Sequence, residues 1–231
     1  MKGTPVTRTS APPADTVCGS VLDVAPGRRI TALDPATRAL HRMILRAFAA
    51  TGGPPAVPAV AAAAAELGLD PRKSLAGLVD RDIIGMGARR GDIVYAYPFS
   101  ARPTAHRVHL VDGAQPYAMC AVDALGMPAM LNSDALITSV DPYSGESITI
   151  TVTDKGRTAR WQPGGCVAFI GTAGDCCAGT AAQVCCDYLN VFTSAEHAHA
   201  WAAGHPHVRG CVVDRDRALR LGIDVFGDLL G

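Results

Sequence analysis

The chain has no excess of either charge: 21 Lys and Arg are balanced by 21 Asp and Glu over 231 residues, a formal net charge of zero. Nucleic acid and anionic membrane call for a concentrated positive field, so this balance argues against both as partners. Long apolar runs are missing as well. The longest candidate, Ala56 to Leu67, is mostly alanine, is interrupted by Pro58 and covers about three turns, too short to span a bilayer. The opening MKGTPVTRTSAPPADT lacks the apolar core of a secretory signal, so the expected location is the cytoplasm. The chain contains no C-x-x-C, no H-E-x-x-H, no P-loop and no G-x-G-x-x-G. Those absences weigh against dithiol redox work, a zinc protease and a phosphate cradle.

What is present is a 48% hydrophobic chain long enough for one large domain or two small ones. Eight cysteines stand at 18, 120, 166, 176, 177, 185, 186 and 211. Disulfide frameworks belong to short secreted chains, and adjacent pairs such as Cys176-Cys177 and Cys185-Cys186 make poor long-range staples. In a reducing compartment, clustered thiols point instead to soft-metal or thiolate chemistry.

Residues 1–29, rich in Thr, Pro, Ser, Ala and Gly, read as a flexible leader. Asp34 and Pro35 then open a helix with Leu40, Met43, Ile44, Ala47 and Phe48 at helical spacing, stopped by TGGPP. A second helix is predicted from Pro58 to Leu67 and a third from Pro71, carrying Leu75, Leu78 and Val79. Ile83-Ile84, a GARRGD turn and an alternating strand at Ile93, Tyr95 and Tyr97 complete a winged-helix-like unit over residues 30–100. Its third helix offers only Arg72 and Lys73 and its wing Arg89 and Arg90, few for a DNA reader, so the unit reads as scaffold.

Residues 101–231 read as a mixed-sheet α+β domain, giving an α+β fold overall. The pattern predicts an alternating strand from Thr104 to Val111, a short helix from Tyr117 to Leu125 stopped by Gly126 and Pro128, and a hairpin of 135–140 with 147–152. Further strands are expected at 166–170, 184–192 and 208–213. A helix capped by Thr193 or Ser194 should run to Trp201, ahead of a terminal segment over 217–230.

Within this domain Cys120-Ala121-Val122-Asp123 sets a thiol and a carboxylate three residues apart at a helix start. Such residues share one face. The helix N-terminus favours thiolate, and burial beside sulfur raises a carboxyl pKa. An isolated C-x-x-D is more often a buried cysteine with a local hydrogen-bond acceptor. Its neighbours change that balance.

YAMCAVDALGMPAML (117–131), LITSVDPYSGESITITV (136–152) and CCDYLNVFTSAEHAHAW (185–201) together resemble the alkylmercury lyase (organomercurial lyase) family in order and spacing. The resemblance covers about residues 33–225. It implies a winged-helix-like N-terminal region before the catalytic domain. It also implies that Cys120 is the first catalytic thiol, Asp123 the proton carrier and Cys186, counted back from Phe192, the second thiol. A shift of one residue would substitute Cys185, and strand alternation would make that choice consequential. Cys120, Cys186 and Asp123 would then surround mercury.

The implied activity is protonolysis of the carbon–mercury bond, in mercury detoxification. It needs no resident cofactor, takes cellular low-molecular-weight thiols as co-reactants, and hands Hg(II) to a mercuric reductase. Departures from the family pattern are Met119 where an aromatic is common, Asp187 after the second thiol, and the added pair in GDCCAG (174–179), all bearing on pocket shape.

The remaining cysteines divide. Cys166 and Cys211 read as core, whereas Cys176 and Cys177 are candidates for a mercury relay or exposed thiols. His197, His199, His205 and His207 look like a ligand cluster, but residues two apart on a helix cannot share a face, so a solvated helix end is the simpler reading. Two other functions compete: a metal-responsive winged-helix DNA-binding regulator or metal-sequestering protein, and a thiol-redox protein.

Overall fold

Aspartate and proline set the first helices. The computed structural model describes residues 26–88, 91–173 and 180–231. Cys18, Cys176, Cys177, Arg89 and Arg90, and most of the leader, lie outside them, so the relay and wing readings do too. Helix α1 spans Pro26–Thr31, overlapping the end of the stretch read as leader, and α2 spans Pro35–Thr51. The Asp34 carboxylate caps α2 by accepting from the Thr37 amide at 3.0 Å, with Pro35 at the first position. Leu40, Ile44, Leu45 and Phe48 form its buried face. Helices α3 (Val57–Glu66) and α4 (Pro71–Asp80) follow, and Asp70 caps α4 through the Lys73 amide at 2.9 Å.

Strands β1 (Ile84–Met86) and β2 (Ile93–Ala96) pair as a hairpin. Next come β3 (Phe99–Ser100), β4 (Arg107–Leu110), β5 (Tyr117–Ala118), helix α5 (Ala121–Met130), β6 (Ala135–Val140), β7 (Ser147–Thr153) and β8 (Thr158–Gln162). All pairings are antiparallel, in the order β1-β2-β3-β5-β4-β6-β7-β8. The hairpin after the helices is therefore continuous with the sheet of the second half, through β2–β3 and β3–β5.

The chain continues with β9 (Val167–Ala173), α6 (Ala181–Val184), β10 (Leu189–Phe192), α7 (Ala195–Ala203), β11 (Val208–Val213) and α8 (Arg215–Phe226). A second antiparallel sheet runs β10-β9-β11. The fold is mixed α+β on antiparallel sheets. No helix among the described residues is long and apolar enough to cross a membrane.

Besides α1 and the short β3, three elements differ from the sequence reading. Tyr117–Ala118 is a strand, and the helix begins at Ala121 and runs through Gly126 and Pro128 to Met130. Packing explains this: a Cβ at Gly126 would lie 2.5 Å from the Gly222 carbonyl oxygen, so Gly126 is where α5 and α8 cross closely rather than where the helix stops. The helix is buried along most of its length, and that burial outweighs the carbonyl bond Pro128 forfeits. Second, residues 184–188 are not strand. They form the end of α6 and a 3-10 turn, Cys186–Tyr188, and extended backbone begins only at Leu189. Third, β8 has no counterpart in the reading. Its TARWQ sequence buries only Trp161, so it lacks a clear apolar alternation.

Candidate active site

Helix α5 is capped by a sulfur. Cys120 has extended backbone, φ −152 and ψ −178, and its Sγ accepts from the Asp123 amide at 3.5 Å, the role usually filled by Ser, Thr or Asp. In return the Cys120 thiol donates to Asp123 Oδ2 at 2.7 Å. Thiol and carboxyl are thus fixed to each other by one turn of helix, as their three-residue spacing suggested.

Cys186 enters on the 3-10 turn that leads into β10 of the second sheet. The ligand atoms of Cys120, Asp123 and Cys186 all lie within 4.8 Å of one another. Cys185 is buried next door but is not part of that group. The alternation argument that separated the two cysteines does not apply, because neither sits on a strand. What separates them is the turn.

All three groups are nearly sealed from solvent: Cys120 is 2% exposed, Asp123 3% and Cys186 7%. Burial sets the electrostatics. It pushes the Asp123 carboxyl up to about 7, although hydrogen bonds from the Cys120 side chain and backbone pull the other way. It also pushes the Cys120 thiol well above its usual value, helped by Cys186 and by the Asp123 charge. The expected thiolate at the helix N-terminus is therefore not the resting state: burial outweighs the helix dipole. For Cys186 the hydrogen bond with Cys120 lowers the pKa, but burial and the charges of Asp123, Asp187 and Asp82 raise it overall. The resting centre is two thiols and a carboxyl that changes protonation near neutrality.

A second cluster of possible ligand groups joins Asp141, Glu146 and His197, also within 4.8 Å. Asp141 is buried and already saturated. Its Oδ1 accepts from the Tyr143 and Ser144 amides. Its Oδ2 takes the Thr193 amide and hydroxyl and faces His197 Nδ1 at 2.9 Å. Burial pushes the Asp141 carboxyl up, but these donors prevail and hold it at about 2. The cluster pins the β6–β7 turn to the start of α7. His197, its side chain 29% exposed, is thus tied into a partly buried network rather than left free at a solvated helix end, whereas His199 is exposed as expected. His205 stacks on Trp201, with ring centroids 4.1 Å apart. Cys166 is buried in the core, and Cys211, on β11, is half-buried.

Two residues near the centre escaped the sequence reading. Asp82 and Tyr97 lie in the part read as scaffold, and both touch the segment that carries Cys186. Neither forms a motif, and only the fold brings them there.

The MerB alkylmercury lyase family profile matches residues 99–227. The alkylmercury lyase of Staphylococcus epidermidis is 32% identical over 129 residues, covering 56% of this chain and 57% of that protein. The alkylmercury lyase of Pseudomonas putida is 30% identical over 141 residues, covering 61% and 58% respectively. The chain thus matches a little under three-fifths of the length of these relatives. The crystal structure of the mercury-bound form of MerB2 superposes with a TM-score of 0.71 at 25% identity, over 94% of this chain and 100% of that one. By the profile match over more than half of its residues, the chain belongs to the alkylmercury lyase family.

Proposed function

We propose that the protein is an organomercurial lyase that cleaves the carbon–mercury bond by protonolysis, with Cys120, Asp123 and Cys186 as its catalytic residues. The observation that carries this reading is the convergence of two buried sulfurs on one buried carboxyl. Soft sulfur suits a soft metal ion, which oxygen ligands alone would not select. The substrate arrives as R–Hg bound to a small cellular thiol. Cys120 displaces that thiol, and its proton leaves on the displaced sulfur by way of Asp123, the group it already faces at 2.7 Å. Cys186 then binds mercury and passes its proton to Asp123. Asp123 delivers that proton to carbon, releasing R–H and leaving Hg(II) between the two sulfurs. One proton ends on the thiol and one on carbon, so no free carbanion forms.

A carboxyl with a pKa near neutrality suits both halves of this transfer. Holding three groups in contact before substrate enters supplies the orientation that the reaction lacks in water. Free thiols are co-reactants, which places the reaction in a reducing compartment, the cytoplasm. A mercuric reductase is the expected consumer of Hg(II). In this reading residues 30–100 are a winged-helix-like scaffold, supported by the order of α2, α3, α4 and the β1–β2 hairpin. The test is incubation with phenylmercury and excess thiol while benzene is measured by gas chromatography. Benzene should accumulate over many turnovers. Binding of phenylmercury with no benzene above the protein-free rate would reduce the protein to a mercury trap.

A further inference from the structure

Cys120 and Asp123 are fixed by the first turn of a ten-residue helix, whereas Cys186 depends on shorter elements. It sits on a three-residue turn after a four-residue helix. Locally, Thr180 and Gln183 form a capping box on α6 and Asn190 Nδ2 donates to the Asp187 carbonyl at 2.9 Å, but two further holds come from residues preceding the family match. Asp82 Oδ2 accepts from the Ala181 amide at 2.8 Å, and the Tyr97 hydroxyl accepts from the Ala182 amide at 2.7 Å. These are the first two amides of α6, donors that a helix leaves without internal partners.

Asp82 and Tyr97 are themselves tied together. Asp82 Oδ1 accepts from the Tyr95 hydroxyl at 2.9 Å and from Tyr97 at 3.4 Å, and Oδ2 accepts from Arg29 at 2.8 Å. Tyr97 is 1% exposed and Asp82 9%. The backbone is shaped for the arrangement. Asp82 adopts φ +49, a left-handed conformation that Asp and Asn tolerate better than most residues. Gly85 lacks the Cβ that would overlap the Tyr95 ring, so the ring can lie across β1. Burial and then the charges of Cys186, Asp82, Tyr95 and Asp123 keep the Tyr97 phenol far from ionisation, a neutral donor and acceptor.

We propose that Asp82 and Tyr97 are positioning residues for the second thiol: by capping α6 they hold Cys186 against Cys120 and Asp123. The helical N-terminal half thereby becomes part of the active site. The inference rests on the reading of Cys186 as the second mercury-binding thiol.

Tyr97→Phe removes only the hydroxyl. Asp82→Asn keeps size and left-handed tolerance but turns one acceptor oxygen into a donor. The probe is phenylarsine oxide, which condenses with two neighbouring thiols to a dithioarsenite and one water and contains no carbon–mercury bond. The quantity read is the capture that disappears in Cys120→Ser, titrated well below the melting temperature of each variant. Asp141→Asn, which strips a buried carboxylate from the separate hairpin network, is the control for lost stability alone. Tyr97→Phe and Asp82→Asn should each weaken this capture roughly 10–100-fold, the scale for losing a partner that orients a metal ligand. Asp141→Asn should melt earlier yet capture as tightly as the native protein. Capture by Tyr97→Phe and Asp82→Asn no weaker than by Asp141→Asn would overturn the inference and leave the proposed function intact. A native protein with no Cys120-dependent capture would overturn the paired-thiol centre and the inference with it.

Discussion

Cys186→Ser is expected to lower benzene release from phenylmercury by roughly 10³-fold or more, the scale on which losing one member of a coupled catalytic unit acts. Cys185→Ser should stay within a few-fold of the native rate. The substitutions are chemically identical and one residue apart, so the contrast isolates geometry. Serine at 186 keeps nearly the same volume but replaces a soft, ionisable sulfur with a hard hydroxyl that does not ionise near neutrality, so mercury gains no second strong ligand. Serine at 185 puts a hydroxyl into a buried site that is 2% exposed, at a stability cost of about 1–3 kcal/mol. It leaves the group within 4.8 Å complete. Rates measured at a temperature where both variants are folded decide the matter. An active Cys186→Ser beside an inert Cys185→Ser would reassign the second thiol.

Asp123→Asn should separate binding from cleavage. Both sulfurs remain, so Hg(II) is still captured, but the proton no longer reaches carbon and turnover falls by roughly 10²–10⁴. The same substitution has a stability signature of definite sign. In the unfolded chain the carboxyl ionises near 4, whereas burial holds it at about 7 in the fold. Between those values the folded protein binds the extra proton, so stability is lost as pH rises through the window and levels off above it. A shift of about three pH units corresponds to as much as about 4 kcal/mol. Asp123→Asn should therefore be the more stable protein at pH 8, with the advantage fading toward pH 4. Urea unfolding at both pH values checks this. An asparagine variant less stable than native at pH 8 would show that the carboxyl is not held near neutrality by burial.

The local elements of this site were legible, and the long-range ones were legible only by resemblance. Asp34 and Ser194 mark helix starts because capping depends on a side chain reaching its own next turn, which adjacent sequence encodes. Cys120 and Asp123 could be placed on one face for the same reason. The convergence of Cys186 on them depends on how two sheets pack, and no period in the sequence encodes that. Family spacing pointed to Cys186, the cysteine whose sulfur lies within 4.8 Å of the Cys120 and Asp123 ligand atoms, while the strand argument beside it failed because residues 186–188 turn rather than extend. Gly126 misled for a related reason. Glycine breaks a helix in isolation, yet here it lets α5 approach Gly222 of α8. Asp82 and Tyr97, 15 residues apart, meet only through a hairpin and a helix end.

The most direct test of the paired-thiol centre is a crystal structure of the protein loaded with one equivalent of Hg(II). The metal should bridge Cys120 Sγ and Cys186 Sγ, with the Asp123 carboxyl beside it. Mercury bound at full occupancy on other thiols, with Cys120 and Cys186 unbridged, would contradict the account.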